Sequence, residues 1–251
     1  MAKIISTFIS ELGYSFEEGE IEVSGDFVFI TKPNWDYLEC LKLQESCADL
    51  IYKDSYKNIC VVFFTSHPSC FTLGRGLQKN LTPDVKLVDF NHDLKNSVDV
   101  PIFEIKRGGG ITFHHNNQLI IYPIINLSHY KLKIYPLMSK LFKVVSDCLG
   151  SQGVTSLDYC RDLLGLWSGD KKVASIGVQL RRFVSFHGVA LNLEQDDAIE
   201  KELNKIYPCG LPGDFYSDIK RQYGILIDKN KMIRDFKQRS NELIANYHEC
   251  S

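Results

Sequence analysis

Runs of apolar residues along this chain alternate between strand-like and helix-like spacing. Phe27-Val28-Phe29-Ile30-Thr31 reads as a strand, ended by Lys32-Pro33-Asn34. Asn34 is the expected N-cap of a helix running to about Tyr52. Its apolar positions Tyr37, Leu38, Leu41, Ala48, Ile51 and Tyr52 recur at helical spacing. Ile59-Cys60-Val61-Val62-Phe63-Phe64 is continuously apolar, the pattern of a strand covered on both faces. Further strands are expected at 102–106, 119–124, 164–167, 172–178 and 183–192. A second long helix fits 136–149, with Leu137, Leu141, Val144, Val145 and Cys148 inward and Gly150 as its stop. Shorter helices fit 196–205 and 231–247. The pattern predicts an α/β chain of the α+β type, a single domain over 1–251 with a mixed central sheet flanked by helices.

Composition narrows the function classes. A chain of 251 residues, 44% hydrophobic, can bury a substantial core. A net charge of −2 argues against a nucleic-acid partner, which needs a basic footprint. No apolar run approaches the ~20 residues that span a bilayer, and no basic start with an apolar core marks an export signal. A cytoplasmic protein without membrane attachment is expected. The eight cysteines, at 40, 47, 60, 70, 148, 160, 209 and 250, form no Cys-x-x-Cys pair and no Cys/His cluster with zinc spacing, so no metal is expected. They read as free thiols in a reducing compartment, most of them as small core hydrophobes.

Three segments carry candidate chemistry. Arg107-Gly108-Gly109-Gly110-Ile111-Thr112-Phe113-His114 leaves one strand and enters another. Its glycines permit positive φ and close approach of main chain to a ligand, and its amides suit a carbonyl, a phosphate or an extended chain. No Gly-Lys-Ser/Thr follows, so it is not a P-loop. Lys172 opens a strand whose small residues Ala174, Ser175 and Gly177 leave room for a ligand, while Lys171 should face the opposite way. Arg181-Arg182 suits an acidic partner or a solvated turn, and leads to His187-Gly188-Val189-Ala190-Leu191-Asn192, where His187 alone reads as structural. Pro208-Cys209-Gly210 holds a cysteine in a turn that can expose its sulfur.

Taken together, and with His67-Pro68 preceding Thr72-Leu73-Gly74-Arg75, these segments resemble the lipoyl(octanoyl) transferase family, also called lipoate-protein ligase B. The motifs stand in family order from residue 67 to 211, within a core of about 60–220. The resemblance implies a biotin/lipoate ligase-like fold and an enzyme that moves an octanoyl group from acyl carrier protein to a lysine of lipoyl domains. These belong to 2-oxoacid dehydrogenase complexes and glycine cleavage H protein, and the step opens lipoate biosynthesis. By the same resemblance Cys209 is the acyl-thioester nucleophile and Lys172 its partner, which lowers the thiol pKa. Substrate-binding segments fall on Arg107, Gly108, Gly109, Gly110, Ile111, Thr112, Phe113 and His114, on Ser175, Ile176 and Gly177, and on Gly188, Val189 and Ala190. No cofactor is implied.

Two departures stand out. His115-Asn116-Asn117 replaces the family's Gly-Pro-Gly before Gln118, and Asn is expected to keep the turn by tolerating left-handed backbone. Asp214 to Ile219 replaces a Val-Thr-Ser-Leu-like segment. An ATP-dependent lipoate or biotin ligase shares the fold, the glycine-rich loop and the strand lysine but needs no cysteine nucleophile. A non-catalytic binder of acyl carrier protein or lipoyl domains needs neither Cys209 nor Lys172.

Overall fold

The computed structural model describes residues 2–74, 98–160, 163–195, 197–203 and 215–245. Its main sheet begins with the hairpin of β1 (Ile21–Ser24) and β2 (Phe27–Lys32). Helix α2 (Tyr37–Ile51) then crosses over to β3 (Cys60–Thr65), which lies parallel to β2. The other strands of this sheet are β7 (Gln118–Ile124), β8 (Asp158–Cys160), β9 (Gly165–Ser168), β10 (Lys171–Arg181) and β11 (Val184–Asn192). Their order is β1-β2-β3-β7-β11-β10-β9-β8, and among the described residues its mixed character rests on the parallel strand pair β2/β3. A smaller sheet, β5-β4-β6, is built from β4 (Cys70–Leu73), β5 (Ile102–Glu104) and β6 (Ile111–His114).

Alternation within the strands builds two cores. Cys60, Val62 and Phe64 face α3 (Ile134–Gly150) and α6 (Lys229–Arg239), whereas Val61 and Phe63 face α1 (Ala2–Glu11) and α2. β3 is buried along its whole length, as its unbroken apolar run requires. The inward residues expected of the second long helix, Leu137, Leu141, Val144, Val145 and Cys148, are all buried. Two short helices, α4 (Asp197–Leu203) and α5 (Ile219–Tyr223), flank the far end of β11.

Several expectations shift. α2 is capped by Asp36, whose carboxylate accepts from the Glu39 amide at 3.0 Å, while Asn34 sits before it at a left-handed φ of 52°. The helix buries Tyr37, Ala48 and Ile51 as expected, together with Cys40, Leu43, Gln44 and Cys47 on the same stripe, and leaves Leu38 and Tyr52 exposed. Gly150 ends α3 inside the helix, and Ser151 is the C-cap. Residues 182 and 183 are the turn of the β10–β11 hairpin, not strand; Arg182 and Phe183 both have φ > 0, the type I′ geometry that matches strand twist without the usual Asn-Gly. The turn at 115–117 closes with the Gln118 amide donating to His115 O at 3.2 Å, and neither Asn116 nor Asn117 needs a left-handed φ. Arg181 and Arg182 turn back onto α2 and its C-cap, Arg181 to Asp49 at 3.3 Å and Arg182 over the Tyr52 ring.

Candidate active site

Lys172 is nearly inaccessible, at 1% exposure, and its placement follows from an irregularity in β10. Lys172 pairs with Trp167 and Ala174 with Leu166, so Val173 is an extra residue with no partner on β9. Such a bulge shifts the alternation by one. Val173 and Ala174 therefore both pack into the α3-side core, and Lys172 returns to the face of Ser175 and Gly177. Gly165, opposite Ser175, confirms the face: directly paired residues point the same way, and a Cβ at 165 would overlap Lys172 Cε. The lysine chain thus runs over Gly165, and Nζ donates to Leu163 O at 2.7 Å. The rings of Trp167 and Tyr216 lie 5.9 and 5.7 Å from Nζ, close enough for cation–π attraction. Lys171 carries a more exposed side chain beside Asp170 at 3.6 Å.

Beyond the end of β9 the glycine-rich loop covers β10. Gly108 donates to Val178 O at 3.3 Å, so this amide clamps the strand. Gly109 takes the left-handed conformation, φ 80°, that the chain needs to turn back into β6. The loop also presses Arg107 against Gly177, where any Cβ would lie 2.8 Å from Arg107 Cδ. Arg107 Nη2 donates to Thr72 O, Thr72 Oγ1 and Thr112 Oγ1 at 3.0, 2.8 and 2.7 Å.

Between loop and sheet lies a narrow, partly open cavity. Ser175, Ile176, Gly177, Gly188 and Ala190 form its strand side; Arg107, Thr112 and His114 close it from the loop side. Tyr37, Tyr122 and His187 complete the lining. A second hollow shares Thr112 and Ser175 with it and extends to Tyr216. The small residues expected to leave room beside the strands do so. Ile111 and Phe113 pack with Phe71 in the small sheet's core, though Phe113 also lines the second hollow, and Val189 faces the α3 side.

The three histidines around this cavity are held neutral by burial. His67 is pushed down to about 4 and His187 to about 3, and His114 lies well below its ordinary value. Trp35 O can only accept, so His67 Nδ1 donates to it at 2.7 Å and Nε2 accepts from the Tyr122 hydroxyl at 3.1 Å. Sequence reading assigned no site role to Tyr37, Tyr122, Gly165, Trp167 or Tyr216. Each is a lone aromatic or glycine in an unremarkable strand, helix or loop, and only the tertiary fold brings them together.

Among the described cysteines, Cys40, Cys47, Cys60, Cys70 and Cys148 are buried and Cys160 is half-buried. Burial pushes the thiols of Cys40, Cys60, Cys70 and Cys148 up to about 12, and that of Cys47 also upward, so they remain protonated and unreactive. Cys209 and Arg75 lie outside the described residues. Among the described residues, no group of three His, Cys, Asp or Glu side chains forms a metal site, and no helix is long and apolar enough to cross a membrane.

The chain is similar to several known proteins. The lipoyl protein ligase A/B catalytic domain matches residues 36–240, a span containing positions 107, 172 and 209. An octanoyltransferase of Bdellovibrio bacteriovorus is 30% identical over 225 residues, covering 83% of this chain and 94% of the relative. One from Rickettsia felis is 31% identical over 225 residues, covering 86% and 98%. Among solved structures, P. falciparum LipL1 in complex with lipoate superposes with a TM-score of 0.61 at 14% identity, over 86% of this chain and 62% of that one. A lipoate-protein ligase A bound with ATP gives 0.59 at 13% identity, over 90% and 88%. At those identities the solved structures establish the fold, a mixed sheet flanked by helices. The matched span and the relatives' coverage place the chain in the lipoyl protein ligase A/B catalytic domain family.

Proposed function

We propose that this chain is an octanoyltransferase. It moves an octanoyl group from octanoyl-acyl carrier protein, through a thioester on Cys209, to a lysine of lipoyl domains in 2-oxoacid dehydrogenase complexes and in glycine cleavage H protein. The observation that carries this reading is Lys172: a bulge turns its side chain onto the sheet face that holds the small-residue cavity, with Nζ held by Leu163 O beside the Tyr216 ring. The relatives' activity supports the same reaction.

The reaction balances around one residue pair. A free cysteine has pKa ~8.5 and is mostly thiol at neutral pH; a neighbouring ammonium favours the thiolate. The Cys209 thiolate attacks the donor's thioester carbonyl, and the carrier thiolate leaves, taking a proton from Lys172. The acceptor lysine, arriving as a neutral amine, then attacks the Cys209 thioester. Its proton returns to Lys172 as the amide forms and the cysteine leaves as thiolate. The acyl tail lies in the cavity over Gly177, Gly188 and Ala190, where six methylenes at ~0.8 kcal/mol each contribute roughly 5 kcal/mol. Site of action is the cytoplasm.

The test is a mass measurement. With octanoyl-acyl carrier protein and no acceptor, one octanoyl mass should appear, map to Cys209 and be released by hydroxylamine. With acceptor, transfer should be indifferent to ATP and magnesium. An adduct on another cysteine, or attachment of free octanoate only with ATP, would replace this reading.

A further inference from the structure

A chain of hydrogen bonds joins the glycine-rich loop to the backbone of Lys172, and every link in it has a fixed direction. Two acceptor-only carbonyls set the directions. Gln118 Nε2 donates to Phe113 O at 3.1 Å, which fixes its amide and leaves Oε1 to accept from His114 Nδ1 at 3.2 Å. His114 is neutral, so its Nε2 carries no proton and accepts from the Thr72 hydroxyl at 3.3 Å, while Thr72 Oγ1 accepts from Arg107. On the other side Asn192 Nδ2 donates to Ser217 O at 3.1 Å. Asn192 Oδ1 is thereby turned to accept from Gln118 Nε2 at 2.9 Å. Ser217 N in turn donates to Lys172 O at 3.0 Å.

The far end of this chain matters because of what Ser217 carries with it. Tyr216 pairs as an isolated bridge with Lys172 and sets its ring beside Nζ, and Phe215 packs edge-on against Trp167 at 6.4 Å. Residues 215–217 form a strap across the lysine, and the side chains tying the strap's Ser217 carbonyl to the sheet are Asn192 and, at 3.5 Å, Gln195. Gln118 and Asn192 are buried and are directly paired across β7 and β11. Neither lines the cavity under the Arg107 loop; both lie in the wall of the adjoining hollow, together with Tyr216.

We propose that Gln118 and Asn192 are positioning residues: their amides, each locked in one orientation, hold the Tyr216–Ser217 strap on Lys172 and so fix its ammonium for proton transfer. This rests on the reaction proposed above. Asn192→Asp keeps the acceptor for Gln118 but turns an oxygen toward Ser217 O. Gln118→Glu keeps the acceptor for His114 but removes the donor to Asn192.

The test measures kcat and donor KM for octanoyl transfer, together with the rate at which acetic anhydride acetylates Lys172 relative to Lys171 across pH. Both variants should lose about tenfold or more in kcat with donor KM within about twofold, and Lys172 should acetylate severalfold faster. Should a buried carboxylate prevent folding, Gln118→Met/Asn192→Leu, which buries no charge, is read the same way. Folded variants with unchanged kcat and unchanged Lys172 acetylation, or with a loss in KM alone, overturn the proposal. If the unmodified protein fails to transfer octanoyl at all, the reaction is wrong, and the acetylation ratio alone then judges the positioning.

Discussion

Lys172 reaches the cavity face only because residue 165 has no side chain. A Cβ on Gly165 would sit 2.5 Å from Ala174 O and closer still to Lys172 Cε. Gly165→Ala must therefore lift the lysine off β9 or push β9 and β10 apart. We expect single-turnover acyl transfer to fall by about tenfold or more, since a displacement near 1 Å at a reacting group can cost more than that. The melting temperature should fall as well, because the overlap with Ala174 is with backbone. A Gly165→Ala protein of full activity would show that the lysine's path over β9 is irrelevant to the chemistry.

The charge and the proton of Lys172 can be separated. Lys172→Ala should slow both half-reactions and raise the pH at which Cys209 is alkylated. Lys172→Arg keeps a cation but cannot release a proton at accessible pH, so acylation of Cys209 should survive better than transfer to the acceptor lysine. Lys171→Ala should be mild, given that residue's place beside Asp170. Equal losses at both steps in Lys172→Ala and Lys172→Arg would indicate a geometric role alone.

How far the sequence foretold this site depends on parity and partners. The glycine-rich loop, the small residues of β10 and β11 and the lysine were legible because each belongs to a short local pattern. The face on which Lys172 emerges was not. Regular alternation would put Lys171, not Lys172, with Ser175 and Gly177; the bulge at Val173 reverses this, and no residue between 171 and 175 announces a bulge. The strap and the Gln118–Asn192 pair were equally invisible, because residues 118, 192 and 217 meet only in the folded sheet. The cap of α2 was misread for a simpler reason: Asn34 and Asp36 are both good N-caps, and tertiary structure selected the second.

Burial of three neutral histidines ties stability to pH. His67, at about 4, and His187, at about 3, lie below the ordinary value near 6.5, and His114 lies well below it. Between those values the unfolded chain binds protons that the folded chain refuses, so this stability is complete above pH ~6.5 and is lost as pH falls. The slope approaches three protons, about 4 kcal/mol per pH unit, and His67 alone accounts for roughly 3 kcal/mol by pH 4. Asp218 opposes this, since burial raises its carboxyl and its proton is favoured in the fold. Urea unfolding at pH 7.5, 6 and 5 should show a steep loss, and His187→Phe should flatten it by about one proton. An unchanged slope in that variant would mean that His187 titrates alike in both states.

The last expectation concerns acyl length. Ala190 and Gly188 sit on β11 directly opposite Ser175 and Gly177 of β10, and all four line the cavity. Gly188 is committed to the sheet, because a Cβ there would overlap Ile121 O on β7, so it offers no room for a graded test. Ala190 does: Ala190→Val adds two methyl groups to the cavity wall while keeping a residue suited to a strand. If the octanoyl tail lies there, the variant should no longer bury its last two methylenes. At ~0.8 kcal/mol each they are worth about 1.6 kcal/mol, or roughly 15-fold in kcat/KM. The preference for octanoyl over hexanoyl donors should shrink by about that factor, with hexanoyl transfer close to the unmodified rate. Competition between the two donors, read by mass on the acylated enzyme, measures the ratio directly. Loss of both donors in equal proportion would mean that Ala190 supports the fold and that the tail runs elsewhere.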